Sequence, residues 1–196
     1  MKKIIALTFL PFVIFSCGTE SSNDQVDGVS SSDHRIFITS TSYTGNMSGL
    51  TGADKLCQSS AENAGLKLTY KAILSSSSLD VSNAQRLSLS GSIYKVDVSG
   101  QATLVASTGS ALWNTENNDQ VLLGVVDLDE NGGSVSNTPW TGTSSEGTAY
   151  SDTCSDWTST SGNSMTGLNT AVGGEWLEND PTSLCSNSYP IYCISQ

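Results

Sequence analysis

Basic residues are scarce in this chain: 8 Lys and Arg face 19 Asp and Glu, there is a single histidine, and the net charge is −11. Phosphate binding needs clustered Lys and Arg, so that balance excludes nucleic acid and anionic lipid as charge-recognised partners. Sulfated glycans are disfavoured for the same reason. There is no Cys-x-x-Cys pair, and the lone histidine, His34, falls in a polar stretch ahead of the first apolar segment, which leaves zinc without a ligand set. Neither a Gly-x-Ser-x-Gly elbow nor a His-Glu-x-x-His pair occurs, and no histidine is expected in the folded part to act as general base. The chain therefore reads as non-enzymatic. Carboxylate pairs such as Asp127 with Asp129, or Glu175 with Glu178, would cleave a glycosidic bond only if the fold made them converge in a pocket. No internal repeat is evident.

The N-terminus supplies an expected address. Met1 to Ser16 has a basic start, Lys2 and Lys3, then an apolar run from Ile4 to Phe15 that is too short to span a membrane and reads as a secretion signal. The run ends in Ile-Phe-Ser-Cys, which resembles the bacterial lipobox, with Cys17 as the lipidated first residue of the mature protein. Acyl chains there would contribute about 0.8 kcal/mol per buried methylene, so the protein is expected to be membrane-tethered rather than spanning. Gly18, in place of an aspartate, resembles the sorting pattern for the outer membrane. The expected location is thus the cell envelope, lipid-anchored at the outer membrane and exposed at the surface. Residues 17–34 are polar, acidic and free of aromatic residues, and read as a flexible linker.

With Cys17 lipidated, Cys57, Cys154, Cys185 and Cys193 remain, an even set in an exported protein, which argues for two disulfides among three connectivities. Residues 35–196 fit one domain. Its last quarter, Pro139 to Gln196, holds three of the five cysteines and three of the four tryptophans among turn-forming Gly, Ser, Thr, Asn and Asp. Such a segment needs cross-links and aromatic anchors to hold one shape. Arg35 to Thr41 alternates and should be a strand. Leu50, Ala53, Leu56, Cys57, Ala61 and Ala64 recur at steps of three or four, predicting a helix stopped by Gly65 that carries Cys57 on its buried face. Leu68 to Leu74 reads as a second strand, and Ser75 to Ser78 as a loop. Arg86 to Leu89, Ile93 to Val98 and Ala102 to Ala106 read as short strands or turns. The apolar run Val121 to Val126 is expected to be a core strand.

The segments RIFITSTSYTGNMSGLTGADKLCQSSAENAGL, YKAILSSSS, PWTGT, CSDW, MTGLN and YPIYCI, in that order, resemble the bacterial endostatin-like domain of spirochaetal and other surface lipoproteins. That domain is similar in turn to the endostatin module of collagens XV and XVIII, a variant of the C-type lectin-like fold. The resemblance covers Arg35 to Gln196 and is weakest from Leu79 to Gly133. It implies an α+β fold with short strands, one or two helices, long loops and two nested disulfides, Cys57–Cys193 and Cys154–Cys185. Chain-entropy estimates give the outer one about 5 kcal/mol and the inner one about 3.5. The resemblance also implies adhesion without catalysis, with extracellular-matrix proteins and complement regulators as partners. Trp140, Trp157 and Trp176 read as core or loop anchors. Mammalian endostatin carries N-terminal histidines for zinc and arginines for heparin; here there are only His34, Arg35 and Arg86. The Glu-Pro-Asn and Trp-Asn-Asp motifs of calcium-dependent sugar-binding lectins are absent.

Two acidic stretches are candidate sites. Asp127-Leu128-Asp129-Glu130-Asn131-Gly132 matches the front half of a D-x-D-x-N-G calcium loop, with Asp127, Asp129 and Asn131 as ligands, although Thr138 stands where a bidentate glutamate belongs. The alternative is an acidic surface turn. Glu175, Glu178 and Asp180 flank Trp176 and form a second cation or ligand candidate, against a solvated loop. Recognition of a glycan or an envelope protein through the loops at Trp113 to Asp119 and around Trp176 is the other binding reading. A structural envelope protein without a ligand is the third.

Overall fold

The computed structural model describes residues 30–113 and 121–196. The lipidation, signal and most linker expectations fall on residues 1–29, and part of the Trp113 to Asp119 loop on 114–120, outside the described residues. In chain order the elements are β1 His34–Ile38, α1 Gly49–Asn63, β2 Tyr70–Ala72, β3 Ile93–Val96, β4 Ala102–Ala106, α2 Cys154–Trp157, β5 Asn163–Thr166, β6 Asp180–Leu184 and β7 Tyr192–Ser195. Two 3-10 turns, Gly109–Trp113 and Gly174–Trp176, join them. The class is α+β, as expected.

The main sheet has the order β2-β7-β1-β3-β4, and β5 pairs with β6 in a second, two-stranded sheet. The first and last strands of the domain are therefore neighbours at its centre, antiparallel, with Phe37 opposite Cys193. Every residue of β1 and β7 is buried, because both sheet faces are covered. Successive side chains of a strand point to opposite faces. Accordingly Ile36, Ile38, Tyr192 and Ile194 join one apolar cluster, while Phe37 and Cys193 join the other.

The helix expected from the spacing is α1, and Ala53, Cys57, Ser60 and Ala61 are its buried positions. It stops where expected. Gly65 takes φ +79°, its amide donates to the Glu62 carbonyl, and the Leu66 amide donates to the Ala61 carbonyl, the paired bonds of a Schellman ending. Asp54 and Gln58 of α1 accept the outward amides of Ala72 and Tyr70. The edge of β2 is thereby closed to other strands. Arg86, which lies in a turn, completes that closure: its guanidinium grips Asp54 with two bonds, at 2.9 and 2.6 Å, and donates to the Ala72 and Leu74 carbonyls.

Both disulfides are present as the resemblance implied. Cys57–Cys193 ties α1 to β7 across 136 residues, and Cys154–Cys185 closes a loop of 31 inside it. The bridges of Trp140 to Ile191 and to Thr166 join the two sheets.

Three expectations need correction. Val121 to Val126 is not a strand: the amides of Val121 and Leu122 both donate to the Val172 carbonyl, and only Leu123 bonds β4, through the Val105 carbonyl. Leu122 and Val126 are buried while Leu123 is 57% exposed. An apolar run reports burial, and burial does not require a ladder. The second strand is shorter than Leu68 to Leu74: its register with β7 covers Tyr70 to Ala72, and one further bond, from the Ile73 amide to the Tyr192 carbonyl, closes it. His34 belongs to the folded part and opens β1, one residue before the expected boundary. Its Nδ1 donates to the Ser195 carbonyl and its Nε2 accepts the Ser90 amide, so neither ring nitrogen is free to act as a base.

Candidate functional site

The calcium expectation meets a different geometry. Lys95 Nζ lies 2.5 Å from Asp127 Oδ1, so an ammonium already neutralises the first carboxylate. Asp129 Oδ1 accepts the amides of Asn131 and Gly133, each at 2.8 Å, and Gly132 adopts φ +81°. These bonds close a tight turn and direct the second carboxylate at backbone instead of a central ion. Glu130 turns inward, where its carboxylate accepts the amide and hydroxyl of Ser40. Among the described residues no group of three or more His, Cys, Asp or Glu could hold a metal ion. The segment is folded as a turn whose second carboxylate is engaged by its own backbone amides.

The second acidic stretch is dispersed as well. Glu178 accepts the Ser145 amide, and Glu175 is exposed. Asp180 accepts the Thr182 hydroxyl and amide and the Ser183 hydroxyl, with the Thr182 hydroxyl foremost in holding its carboxyl below the usual range. Trp176 between them is fully buried, 5.3 Å from Tyr192 and stacked at 6.2 Å on the half-buried Trp113. These two rings anchor a core, as expected of Trp176, and Trp176 offers no face to a ligand. Burial pushes the Tyr192 phenol up, and its hydroxyl donates to the Trp176 carbonyl.

The two arginines face inward, whereas Lys55 and Lys67 are exposed. Arg86 and Arg35 are 4% and 8% exposed, and Arg35 Nη2 donates to the Glu130 carbonyl. Lys71 donates to the Arg86 carbonyl.

One geometry was not read from the sequence. In α2 the φ angles of Cys154, Ser155, Asp156 and Trp157 are 51°, 55°, 56° and 64°, so this single turn winds left-handed without any glycine. Such a conformation costs roughly 1–2 kcal/mol per residue. Its surroundings hold it in place. The Cys154–Cys185 bond fixes one end. The Trp157 indole N–H donates to the Ser75 carbonyl at 2.7 Å at the other. Between them Asp156 accepts the amide and hydroxyl of Ser77 and the hydroxyl of Thr153. Those bonds, the Ser77 amide first, hold the Asp156 carboxyl below its ordinary range. Beside the turn a polar hollow of about 260 Å³ opens, lined among others by Ser77, Asp152, Thr153, Asp156, Ser161 and Asn163. The sequence signal for it was Cys-x-x-Trp, read as part of the family resemblance, with Trp157 as a core or loop anchor.

With this geometry in view, the family described as Collagenase NC10 and Endostatin matches residues 34–196. The chain belongs to the endostatin family. The match takes in His34, in agreement with the start of β1. No curated protein matches the chain. Endostatin domains are generally non-enzymatic and related to collagens, and here both nitrogens of the lone histidine and the carboxylates of Asp127, Asp129 and Glu130 are engaged by the fold.

Proposed function

We propose that this endostatin-family protein is a lipid-anchored envelope protein whose domain binds other proteins outside the cytoplasm, without catalysis. The observation that supports this most is where the reactive groups lie. Both arginines, His34 and the carboxylates of Asp127, Asp129 and Glu130 serve the fold, which leaves a rigid, cystine-stapled, acidic exterior as the part able to meet a partner. The Cys17 motif supports tethering. Extracellular-matrix proteins and complement regulators are the partners that the bacterial surface-lipoprotein resemblance implies. A glycan or a neighbouring envelope protein is the alternative, and a purely structural role the third reading.

The test has two arms. Metabolic acyl labelling should be lost on Cys17→Ser. Protease treatment of intact cells should remove the domain, and the purified protein should capture matrix proteins on an array. Labelling that survives the substitution, or a domain shielded from protease with no capture, defeats the proposal.

A further inference from the structure

The hollow beside α2 has a consistent chemistry. Two carboxylates, Asp152 and Asp156, line it with the hydroxyls of Ser77, Thr153 and Ser161 and the carboxamide of Asn163; no Lys, Arg or His does. Asp152 is exposed; among the described residues its carboxylate has no hydrogen-bond or ion-pair partner, and its backbone carbonyl accepts the Ser164 hydroxyl. Asp156 stays ionised because three donors hold it, as described above. An anion is therefore excluded by charge. A sugar lacks the aromatic floor such sites use, since Trp157 is fully buried with its indole turned to Ser75. The volume, 260 Å³, lies below the roughly 300–1,000 Å³ of small-molecule sites, and suits one side-chain head group. A primary ammonium, with three donors, no acceptor and a positive charge, is the complement of such a lining.

We propose that this hollow receives a lysine side chain of a protein partner. The inference rests on the surface-binding reading and names the chemistry by which that surface takes hold. The disulfide, the indole bond and the Asp156 bonds fix the turn before the ligand arrives, which removes an ordering cost from binding. The strongly acidic chain, with a net charge of −11, draws basic partners toward it.

The test is titration of the isotope-labelled full-length protein with Nα-acetyl-lysine methylamide, its Nε-acetylated form, the arginine counterpart and N-acetylglucosamine. The lysine probe should shift amides of residues 151–156 and 161–163, with a Kd on the order of 1 mM. Acetylated lysine and the sugar should not. Asp152→Asn should weaken binding about tenfold with an unchanged Tm, because that exposed carboxylate has no bonding partner among the described residues. Equal binding of the acetylated or arginine probe, shifts elsewhere, or indifference to Asp152→Asn overturns the assignment. Failure of the lysine probe while matrix capture persists overturns this inference alone. Capture failing while the lysine probe binds supports it, and counts against the reading on which it rests.

Discussion

The two faces of the central sheet are stabilised by different means. One carries α1, Phe37, Tyr70, Trp140, Trp157 and all four paired cysteines. The other packs Ile36, Ile38, Leu112, Leu122, Val126, Trp176 and Tyr192 with no disulfide. The first face borrows heavily from the turn-rich stretches around Cys154 and Cys185, which supply few large apolar side chains. Covalent links there stand in for apolar burial, while the second face has enough aliphatic and aromatic surface to hold by packing alone.

The largest test of that contrast is to remove the staples one at a time. Cys57→Ser with Cys193→Ser should cost about 5 kcal/mol, and Cys154→Ser with Cys185→Ser about 3.5, because the outer bond closes the longer loop. Urea unfolding reads both. A greater loss from the inner pair would mean that release of the left-handed turn outweighs loop length.

A smaller effect separates two close approaches. A Cβ on Gly45 would run into Cys154 and Cys185, while one on Gly109 would meet Leu89. A cystine cannot retreat, whereas the stretch at Leu89 lies outside any helix or strand. Gly45→Ala should cost about 3 kcal/mol and Gly109→Ala about half of that. Equal losses would show the two faces to be equally rigid.

Smaller again is a comparison of tryptophans. Trp157 Nε1 donates to the Ser75 carbonyl, but the buried Trp176 Nε1 has no hydrogen-bond partner among the described residues. Trp157→Phe should therefore exceed Trp176→Phe by about 1–2 kcal/mol in chemical unfolding, since only the former leaves a carbonyl unsatisfied. Equal costs would show that packing alone decides.

The smallest effect is acid dependence. Asp156 has its carboxyl lowered by the Ser77 and Thr153 bonds, so its contribution is present above the ordinary carboxylate range of about 3.9 and is lost as pH falls through the still lower folded value. Asp156→Asn should flatten the stability curve below about pH 4 by less than about 1 kcal/mol, since the group is largely solvated. Unfolding curves at neutral and acid pH check this, and no flattening would remove Asp156 from the list of supports for the turn.

Much of the first face was legible. The spacing from Leu50 to Ala64 marked α1, and Gly65 marked its end, because a helix imprints a period of 3.6 and its ending requires positive φ. The disulfide order came from family resemblance, since an even cysteine count leaves three pairings open. Less of the second face was legible. Val121 to Val126 looks like a strand because apolar runs signal burial without specifying what pairs with the backbone. His34 looked like linker because nothing near it in sequence reveals that its partners, Ser90 and Ser195, lie far along the chain. At the candidate sites, Asp127 and Asp129 had ligand spacing, yet Lys95, 32 residues before Asp127, determined what the first of them does.

The sequence alone determined the helix, the acidic balance, the even cysteine set and the loop-rich character of the last quarter, because each follows from local chemistry or from counting. The left-handed turn at Cys154–Trp157, the polar hollow beside it and the burial of both arginines were decided only by the tertiary structure. Each depends on partners distant in the chain: Ser75 and Ser77 for the turn, Asp54 for Arg86 and Glu130 for Arg35. A strained or charged group shows its role only when the groups that hold it have been brought alongside.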